Sequence, residues 1–413
     1  MFPKTGRPVD EVLEELEARK ANDVDWRGGK VFSLAYDAGD EIHDLAVEAS
    51  SRYLSTNALN PMAFPSIGRM QSEVVGMMAD LLNGGPEASG FMTTGGTESI
   101  LMAVKAAKMR FKAERRITAP EMVLPTTAHA AFTKGAEYFG VRAIRVPVGD
   151  DYRADPDAMA AAINDNTVLV VASAPQYPQG VIDPVEAIAA LAEERGINCH
   201  VDGCMGGVTL PMLERLGYPI PPFDFRVPGV TSMSVDLHKY GYTAKGASVI
   251  LHRNKVLRKY QTFTTDDWLG GFYASSGVLG TKSGGPIAGA WAVLQHVGEE
   301  GYLRLTKAAR TAAEELVAGL RAEPGVEVLG EPEATLVAFT VTDADTFAVG
   351  NALFARGWFC DQQGPPPSLH CTVNAVHAEK GSIAGFLEAL RESLAEVREA
   401  ATKGEQAPYA SLE

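Results

Sequence analysis

Residues 168–202 have the sequence VLVVASAPQYPQGVIDPVEAIAALAEERGINCHVD. Val168–Ser173 and Asn198–Val201 are short apolar runs, which favour strands. Between them, Pro184–Glu194 has the composition of a helix that begins at a proline. A strand, a helix and a second strand in this order predict a βαβ unit with two parallel strands. Asp202 then follows the second strand, at the end where open sheets of this kind bind ligands.

The same alternation extends in both directions along the chain. Further strands are predicted at Glu121–Leu124, Arg142–Val146, Ser232–Val235 and Ala247–Leu251. Further helices are predicted at Asp10–Asn22, Glu41–Tyr53, Thr97–Glu114, His129–Phe139 and Met212–Leu216. Strands that alternate with helices imply an α/β fold with a mostly parallel sheet covered on both faces.

The pattern changes after the glycine-rich connection Leu279–Pro286. Residues 287–320 predict one or two long helices. Beyond them, strands are predicted at Val326–Leu329, Ala334–Val341 and Leu369–Asn374, and helices at Asp345–Arg356 and Ala384–Ala400. This mixture suggests a smaller α+β domain. We therefore divide the chain into an N-terminal segment (1–57), a large domain (58–286) and a small C-terminal domain (287–413).

Composition limits the classes of partner. The chain has 413 residues, with 37 Lys and Arg against 52 Asp and Glu, for a net charge of −15. So acidic a protein is poorly suited to bind nucleic acid or anionic lipid through a general basic surface. No segment has about 18 consecutive apolar residues, so we expect no membrane span. The charged, helix-like start of the chain does not resemble a signal peptide, and we expect a cytoplasmic protein.

The four cysteines do not predict a metal site. Cys199, Cys204, Cys360 and Cys371 form no CxxC pair and lack a further ligand set at zinc spacing. Buried, reduced thiols are the better interpretation in a cytoplasmic protein.

Two segments carry groups suited to a phosphorylated cofactor. TTGGTES, residues 93–99, precedes a predicted helix, so that Gly96 permits a close backbone approach and Thr97 supplies a hydroxyl beside free N–H groups. Alone, this segment is equally well explained as a glycine-rich helix start. Asp202 could keep a pyridine nitrogen protonated and make the ring an electron acceptor. Alone, it could equally cap the following turn.

Two further segments carry basic side chains. In SVDLHKYG, residues 234–241, Lys239 follows a predicted strand and suits a Schiff base with a cofactor aldehyde, although a single lysine is usually a solvated surface residue. Lys245 adds a second cation six residues later. His129 could stack on a pyridine ring or transfer a proton, although a histidine at a helix start more often has a structural hydrogen bond. The four segments together predict a pyridoxal 5′-phosphate site.

Longer motifs resemble the sphingosine-1-phosphate lyase branch of the pyridoxal-phosphate-dependent group II decarboxylase-like enzymes. They are NGGP from Asn83, TTGGTESILMAVKAA from Thr93, AHAAFTKGAEYFG from Ala128, GVIDPVEAI from Gly180, HVDGCMGG from His200, FDFRVPGVTSMSVDLHKYGYTAKG from Phe223, DWLGGFYAS from Asp267, GTKSGG from Gly280 and PPSLHCTVNAVH from Pro366. The resemblance runs from about Gly29 to about Leu394. HKYGYTAKG and DWLGGFYAS are specific to this branch, whereas GGTES and HVD occur more widely.

The resemblance implies fold type I, the aspartate-aminotransferase-like architecture, with a seven-stranded, mostly parallel sheet in the large domain and a small C-terminal α+β domain. It also implies a homodimer with active sites at the subunit interface. The implied activity is retro-aldol carbon–carbon cleavage of a phosphorylated long-chain amino alcohol, sphingosine-1-phosphate, to phosphoethanolamine and a long-chain aldehyde.

The resemblance assigns roles to ten residues. Lys239 would form the Schiff base, Asp202 would hold the pyridinium and His129 would stack on the ring. The cofactor phosphate would be bound by Gly96, Thr97 and His238, with Thr281 from the other subunit. Tyr177 would lie beside the substrate, and Tyr36 and Lys245 would contact its phosphate. The general base stays open between Tyr177, Lys245, Lys239 and the cofactor phosphate.

Two positions depart from the pattern of the branch, and the first of them concerns a histidine that would contact the substrate phosphate. The family typically has Leu-His after its Asn-Pro turn, but here Asn60-Pro61 is followed by Met62-Ala63. Lys282 stands where arginine is usual, which keeps the charge and loses the bidentate geometry. Three alternatives stay open, namely a group II amino-acid decarboxylase or another carbon–carbon lyase on the same scaffold, an aminotransferase, and a non-catalytic protein that binds pyridoxal phosphate.

Overall fold

The computed structural model describes residues 2–379 and 381–403. The helices are α1 (Val9–Ala18), α2 (Asp40–Arg52), α3 (Pro65–Leu81), α4 (Gly96–Glu114), α5 (Ala131–Phe139), α6 (Pro156–Ala162), α7 (Val185–Arg195), α8 (Gly206–Arg215), α9 (Lys255–Arg258), α10 (Gly285–Ala322), α11 (Thr346–Ala355) and α12 (Ser382–Lys403). The strands are β1 (Ser89–Thr93), β2 (Glu121–Pro125), β3 (Arg142–Val146), β4 (Thr167–Ser173), β5 (Asn198–Asp202), β6 (Ser232–Asp236), β7 (Ser248–His252), β8 (Phe263–Thr265), β9 (Tyr273–Ser275), β10 (Val326–Leu329), β11 (Leu336–Val341), β12 (Asp361–Gln363) and β13 (Ser368–Thr372).

The large sheet has seven strands in the order β1-β7-β6-β5-β4-β2-β3. β7 runs antiparallel to the other six strands, which are parallel to one another. The predicted α/β class and mostly parallel seven-stranded sheet are therefore confirmed. In the register, Ser173 of β4 lies beside Asp202 of β5, which in turn lies beside Ser234 of β6. The carboxyl ends of these central strands consequently bring their polar residues to one edge of the sheet.

Every residue of β4, β5 and β6 is buried, which shows that both faces of the sheet are covered. Parallel strands enclosed in this way are nearly continuous apolar runs, which is the pattern seen in the sequence. α4 is buried along most of its length, including Ile100, Val104 and Phe111. The sheet therefore provides a rigid base for the residues at its strand ends.

A second core belongs to the C-terminal part of the chain. It has a four-stranded antiparallel sheet in the order β10-β11-β13-β12, covered by α11 and α12. α10 connects the two cores, since Val293 packs in the first and Leu316 in the second. This helix bends at Gly298, which has a φ of 55°. Phe32, from the N-terminal segment, also packs in the second core. The smaller α+β unit is confirmed, whereas the domain boundaries at 57/58 and 286/287 stay predictions.

One predicted helix is wrong in its start. α8 begins at Gly206, six residues before the predicted Met212, and contains Pro211. Glycines and a proline disfavour a helix in sequence patterns. Here glycine is required sterically, because a Cβ on Gly206 would lie 2.2 Å from the carbonyl oxygen of Ala174.

Among the described residues, no helix combines the length and the apolar character that a membrane crossing requires.

Candidate active site

The carboxyl ends of the central strands open into a cavity of about 560 Å³. Eight of the ten residues with predicted roles line it, and two, Tyr36 and Thr281, do not. The eight are Gly96, Thr97, His129, Tyr177, Asp202, His238, Lys239 and Lys245. They come from separate elements of the large domain, so it is the sheet topology that assembles them.

Lys239 lies in the turn after β6 and is paired with a carboxylate that sequence reasoning missed. Its Nζ lies 3.0 Å from Oδ2 of Asp236, whose side chain is 2% exposed. The other oxygen of Asp236, Oδ1, is buried without a hydrogen-bond partner. Burial alone would lower the pKa of Lys239, but the charge and hydrogen bond of Asp236, together with the nearby Cys204 and Asp202, outweigh it and raise that pKa well above its ordinary value. The signal for Asp236 is its place at a strand end, three residues before the lysine.

Asp202 is buried and held by hydrogen bonds. Its Oδ1 accepts from the hydroxyl of Ser234 at 3.0 Å and from the backbone N–H of Cys204 at 3.0 Å. Burial would raise the pKa of Asp202, but the nearby imidazole of His129 and the Cys204 hydrogen bonds outweigh it and lower that pKa. The cavity therefore has an anionic wall that stays anionic at neutral pH.

The first turn of α4 lies on the cavity wall beside Thr97. Its N-cap is Gly95, and no side chain caps the turn. A Cβ on Gly96 would lie 2.6 Å from Sγ of Cys204 and from Oδ2 of Asp236, so only glycine fits there. Glu98 connects this turn to the segment after β9, because it accepts from the N–H groups of Thr94 (2.7 Å) and Val278 (2.6 Å).

His129 and His238 present imidazoles to the cavity in defined orientations. Nδ1 of His129 accepts from the N–H of Ala131 at 3.1 Å, at the start of α5. Nδ1 of His238 accepts from the N–H of Ala247 at 3.2 Å, which leaves its Nε2 for other partners. Burial lowers the pKa of His238, so this ring is neutral at neutral pH.

Lys245 and Tyr36 lie together at one side of the cavity. Nζ of Lys245 donates to the carbonyl oxygen of Leu34 at 2.8 Å and lies 5.0 Å from the ring centroid of Tyr36. The hydroxyl of Tyr36 contacts Sδ of Met205, which lines the cavity. Although Lys245 keeps contact with solvent, surrounding protein and the charge of Lys239 lower its pKa to about 8.

Tyr177 is fixed from outside the cavity by a second residue that sequence reasoning missed. Its hydroxyl donates to Oδ2 of Asp361 at 2.6 Å, and the hydroxyl of Ser33 donates to the same oxygen at 2.5 Å. The ring of His370 packs against that of Tyr177, with centroids 4.1 Å apart. Asp361 is 184 residues from Tyr177 in the chain, and no motif indicates the pair.

The residues at the two sequence departures lie outside the cavity. Nζ of Lys282 donates to the carbonyl oxygen of Met92 at 2.7 Å and lies 4.4 Å from the ring centroid of Phe91. Met62, next to Ala63, is exposed. Thr281 is also exposed, which leaves its predicted role in another subunit a prediction.

This set of groups fits pyridoxal 5′-phosphate on structural grounds. One cavity combines a lysine amine, a buried anionic Asp202, an imidazole wall at His129 and an uncapped helix start beside Thr97. A helix start with free N–H groups suits a phosphate. The unpartnered Oδ1 of Asp236 also indicates that the site has hydrogen-bonding capacity that the chain itself does not use. Among the described residues, no group of three or more histidine, cysteine or acidic side chains could hold a metal ion.

Comparisons with known proteins agree with this geometry. Residues 1–342 match the pyridoxal-dependent decarboxylase conserved domain. Sphingosine-1-phosphate lyase 1 of Rattus norvegicus is 42% identical over 96% of this chain and 70% of its own length. Sphingosine-1-phosphate lyase of Arabidopsis thaliana is 42% identical over 96% of this chain and 74% of its own length.

Solved structures lead to the same group. A sphingosine-1-phosphate lyase of Burkholderia pseudomallei has a TM-score of 0.93 and 40% identity, covering 98% of this chain and 94% of that one. Glutamate decarboxylase of Lactobacillus brevis, at 20% identity and a TM-score of 0.85, shares the fold. The chain therefore belongs to the pyridoxal-dependent decarboxylase family and, within it, to the group of the sphingosine-1-phosphate lyases.

Proposed function

We propose that this chain is a pyridoxal 5′-phosphate-dependent carbon–carbon lyase that cleaves sphingosine-1-phosphate to phosphoethanolamine and a long-chain aldehyde. The observation that carries the proposal is one cavity that contains both the Lys239, Asp202 and His129 set and a second cation, Lys245, beside Tyr36. The first set suits the cofactor, and the second cation suits a phosphate on the substrate.

When bound, pyridoxal 5′-phosphate supplies a ring that takes up the electron pair released as a bond to the amine-bearing carbon breaks. Asp202 would keep the ring nitrogen protonated, because its own pKa is lowered and it stays anionic. Lys239 would hold the cofactor covalently and His129 would stack on the ring. Gly96, Thr97 and the neutral His238 would bind the cofactor phosphate.

On the substrate side, Lys245 and Tyr36 would bind the phosphate group. The cationic form of Lys245 predominates below its pKa of about 8. Tyr177 would contact the reacting part of the substrate. Burial and the Asp361 carboxylate raise the pKa of Tyr177 well above its ordinary value, so the phenol keeps its proton near neutral pH. Tyr177 therefore acts by positioning a substrate group rather than as a ready proton acceptor.

Two further parts of the proposal concern assembly and location. We propose a cytoplasmic homodimer in which Thr281 of each subunit contributes to the cofactor phosphate site of the other. The exposure of Thr281 outside its own cavity supports this arrangement.

The alternative is an amino-acid decarboxylase on the same scaffold, which shares Lys239, Asp202 and His129. It differs in needing a cationic pocket for a substrate carboxylate. The retained Lys245 and Tyr36 favour a phosphate instead.

The test is product analysis. Purified protein loaded with pyridoxal 5′-phosphate is incubated with sphingosine-1-phosphate, and the products are identified by mass spectrometry. We expect phosphoethanolamine and a long-chain aldehyde, and we expect neither from Lys239→Ala. If the wild type absorbs as a loaded enzyme and cleaves nothing, the substrate is wrong, and carbon dioxide release from an amino-acid panel would establish the decarboxylase.

A further inference from the structure

Asp361 connects the small domain to the wall of the active-site cavity. It is the first residue of β12 and lies opposite His370 of β13. Its Oδ2 accepts two hydrogen bonds, from Tyr177 at 2.6 Å and from Ser33 at 2.5 Å. One carboxylate oxygen of the small domain thus binds both Ser33 of the N-terminal segment and Tyr177, which lines the cavity.

In the part of the chain that the structure describes, the carboxylate of Asp361 has no neutralising cation. Among the described residues, no lysine, arginine or histidine nitrogen forms an ion pair with it. The imidazole of His370, which lies opposite Asp361 in the sheet, uses Nδ1 at the carbonyl oxygen of Pro178 (3.2 Å) and Nε2 at the hydroxyl of Thr372 (3.0 Å). Within the described part of the chain, the hydroxyl hydrogen bonds from Tyr177 and Ser33 are therefore what stabilises the negative charge.

This arrangement determines what Tyr177 can offer a ligand. A phenol has one proton to donate, and Tyr177 donates it to Asp361. Any ligand that reaches the phenolic oxygen therefore meets an acceptor, which suits a hydroxyl or an ammonium group and disfavours a carboxylate. A carboxylate oxygen placed there would also lie within about 5 Å of Oδ2 of Asp361, where like charges repel.

We propose that Asp361 is a positioning and specificity-determining residue, which holds Tyr177 as an acceptor for the hydroxyl of an amino alcohol substrate and disfavours ligands that carry a carboxylate. The inference rests on the proposed function, since it assigns the discrimination between a phosphorylated amino alcohol and an amino acid to one side chain. Asp361 acts through Tyr177 and does not itself line the cavity.

The experiment compares two probes that share an amine and a phosphate. Phosphoethanolamine has no carboxylate, and O-phospho-L-serine has one. Their dissociation constants are measured by calorimetry on the loaded enzyme and on Asp361→Asn and Asp361→Leu. Asparagine keeps an oxygen that accepts from Tyr177 and removes the charge, whereas leucine removes both. Asp343→Asn is the control, because it removes a charge from the same domain at a surface ion pair with Arg398.

We expect the wild type to bind phosphoethanolamine at least about tenfold more tightly than O-phospho-L-serine. This ratio falls at least about fivefold in Asp361→Asn, falls further in Asp361→Leu and is unchanged in Asp343→Asn. For the cleavage reaction, Asp361→Leu lowers kcat more than it raises KM, and Asp361→Asn restores most of kcat because the acceptor is kept. Introducing Tyr177→Phe removes most of the effect of Asp361→Asn, as expected for coupled residues.

The proposal is overturned if the ratio in Asp361→Asn equals that of the wild type, or if Tyr177→Phe leaves the effect of Asp361→Asn undiminished. If Asp361→Leu does not fold, Asp361→Asn and the double variant of Asp361→Asn with Tyr177→Phe still test the proposal. Failure of the proposed function is a separate result, because it shows as a wild type that does not cleave sphingosine-1-phosphate, whatever the ratio of the two probes.

Discussion

Lys239 shows how a neighbouring charge can reverse the effect of burial on an amine. An amine transferred from water into protein loses its proton more readily, yet the contact with Asp236 at 3.0 Å keeps it protonated. A protonated amine is not a nucleophile, so Lys239 must lose its proton, and with it the ion pair to Asp236, before it can react with an aldehyde. The carboxylate therefore controls when the lysine becomes reactive.

We predict that Asp236→Asn lowers the pKa of Lys239 because it removes this opposing charge. In cofactor-free protein, the pH at which an amine-specific acylating reagent modifies Lys239 at half its maximal rate should fall by at least about one unit. Peptide mass spectrometry measures the modification at this residue alone. Asp236→Glu keeps a carboxylate and should retain a pH value closer to that of the wild type. An unchanged value in Asp236→Asn would show that the ion pair does not control the amine.

Lys245 gives substrate binding a dependence on pH. Its ammonium form is present below about pH 8 and is lost as the pH rises through that value. KM for sphingosine-1-phosphate should therefore rise above about pH 8. Lys245→Arg should move the rise to higher pH, because arginine stays protonated. Lys245→Ala should raise KM at pH 7 at least about tenfold, and far less for the dephosphorylated amine. Equal effects on both substrates would show that Lys245 does not bind the phosphate.

The candidate site could be predicted from sequence where a motif is local. Lys239, Asp202 and His129 each stand in a short motif at a strand end or helix start, and the sheet brings them to one cavity. Asp236 also stands at a strand end, but its contact with Lys239 depends on the conformation of the turn after β6, which the sequence alone does not specify. Asp361 could not be found, because its contact with Tyr177 depends on how the small domain packs.

At the scale of elements, the buried strands were the most predictable parts of the fold. The predicted bounds of the fully buried strands β2, β4, β5, β6 and β7 agree with the structure within one residue at each end. Strands buried on both faces require apolar residues throughout, so their limits are sharp in the sequence. α3 has no predicted counterpart, although Ile67, Val74, Met78 and Ala79 are buried in it. Its sequence contains Gly68 and Gly76, and glycine disfavours a helix.

The early start of α8 depends on the space beside Gly206. We predict that Gly206→Ala lowers the free energy of unfolding by more than about 2 kcal/mol, because its Cβ would overlap the carbonyl oxygen of Ala174. Gly76→Ala is the matched control, since Gly76 lies within α3 with open space around it. This control should gain up to about 1 kcal/mol from helix propensity. Denaturant unfolding measures both, and a loss of the same size in both variants would contradict the steric argument.

At the scale of the whole molecule, the two cores contain four buried histidines. His200, His252, His370 and His377 are each at most 3% exposed, and burial lowers the pKa of each to about 4. Above about pH 6.5 they are neutral in both the folded and the unfolded chain. Between about pH 6.5 and 4 the unfolded chain binds protons that the folded chain does not, so the free energy of unfolding falls. Asp183 opposes this trend, because burial raises its pKa to about 6 and it gains stability as the pH falls below that value.

Since these four histidines, together with His238, whose pKa burial also lowers, act against Asp183, we predict that the free energy of unfolding decreases between pH 6.5 and 4.5. Each of the four fully buried histidines contributes at most about 1.4 kcal/mol per pH unit. Denaturant titrations at constant ionic strength measure this slope. His252→Gln, which keeps a hydrogen-bonding group for Gln261, should reduce the slope by about one such increment. The free energy of unfolding could instead stay constant or rise over this range. That result would show that the buried histidines bind protons in the folded state, so that the interior accommodates charged imidazolium groups.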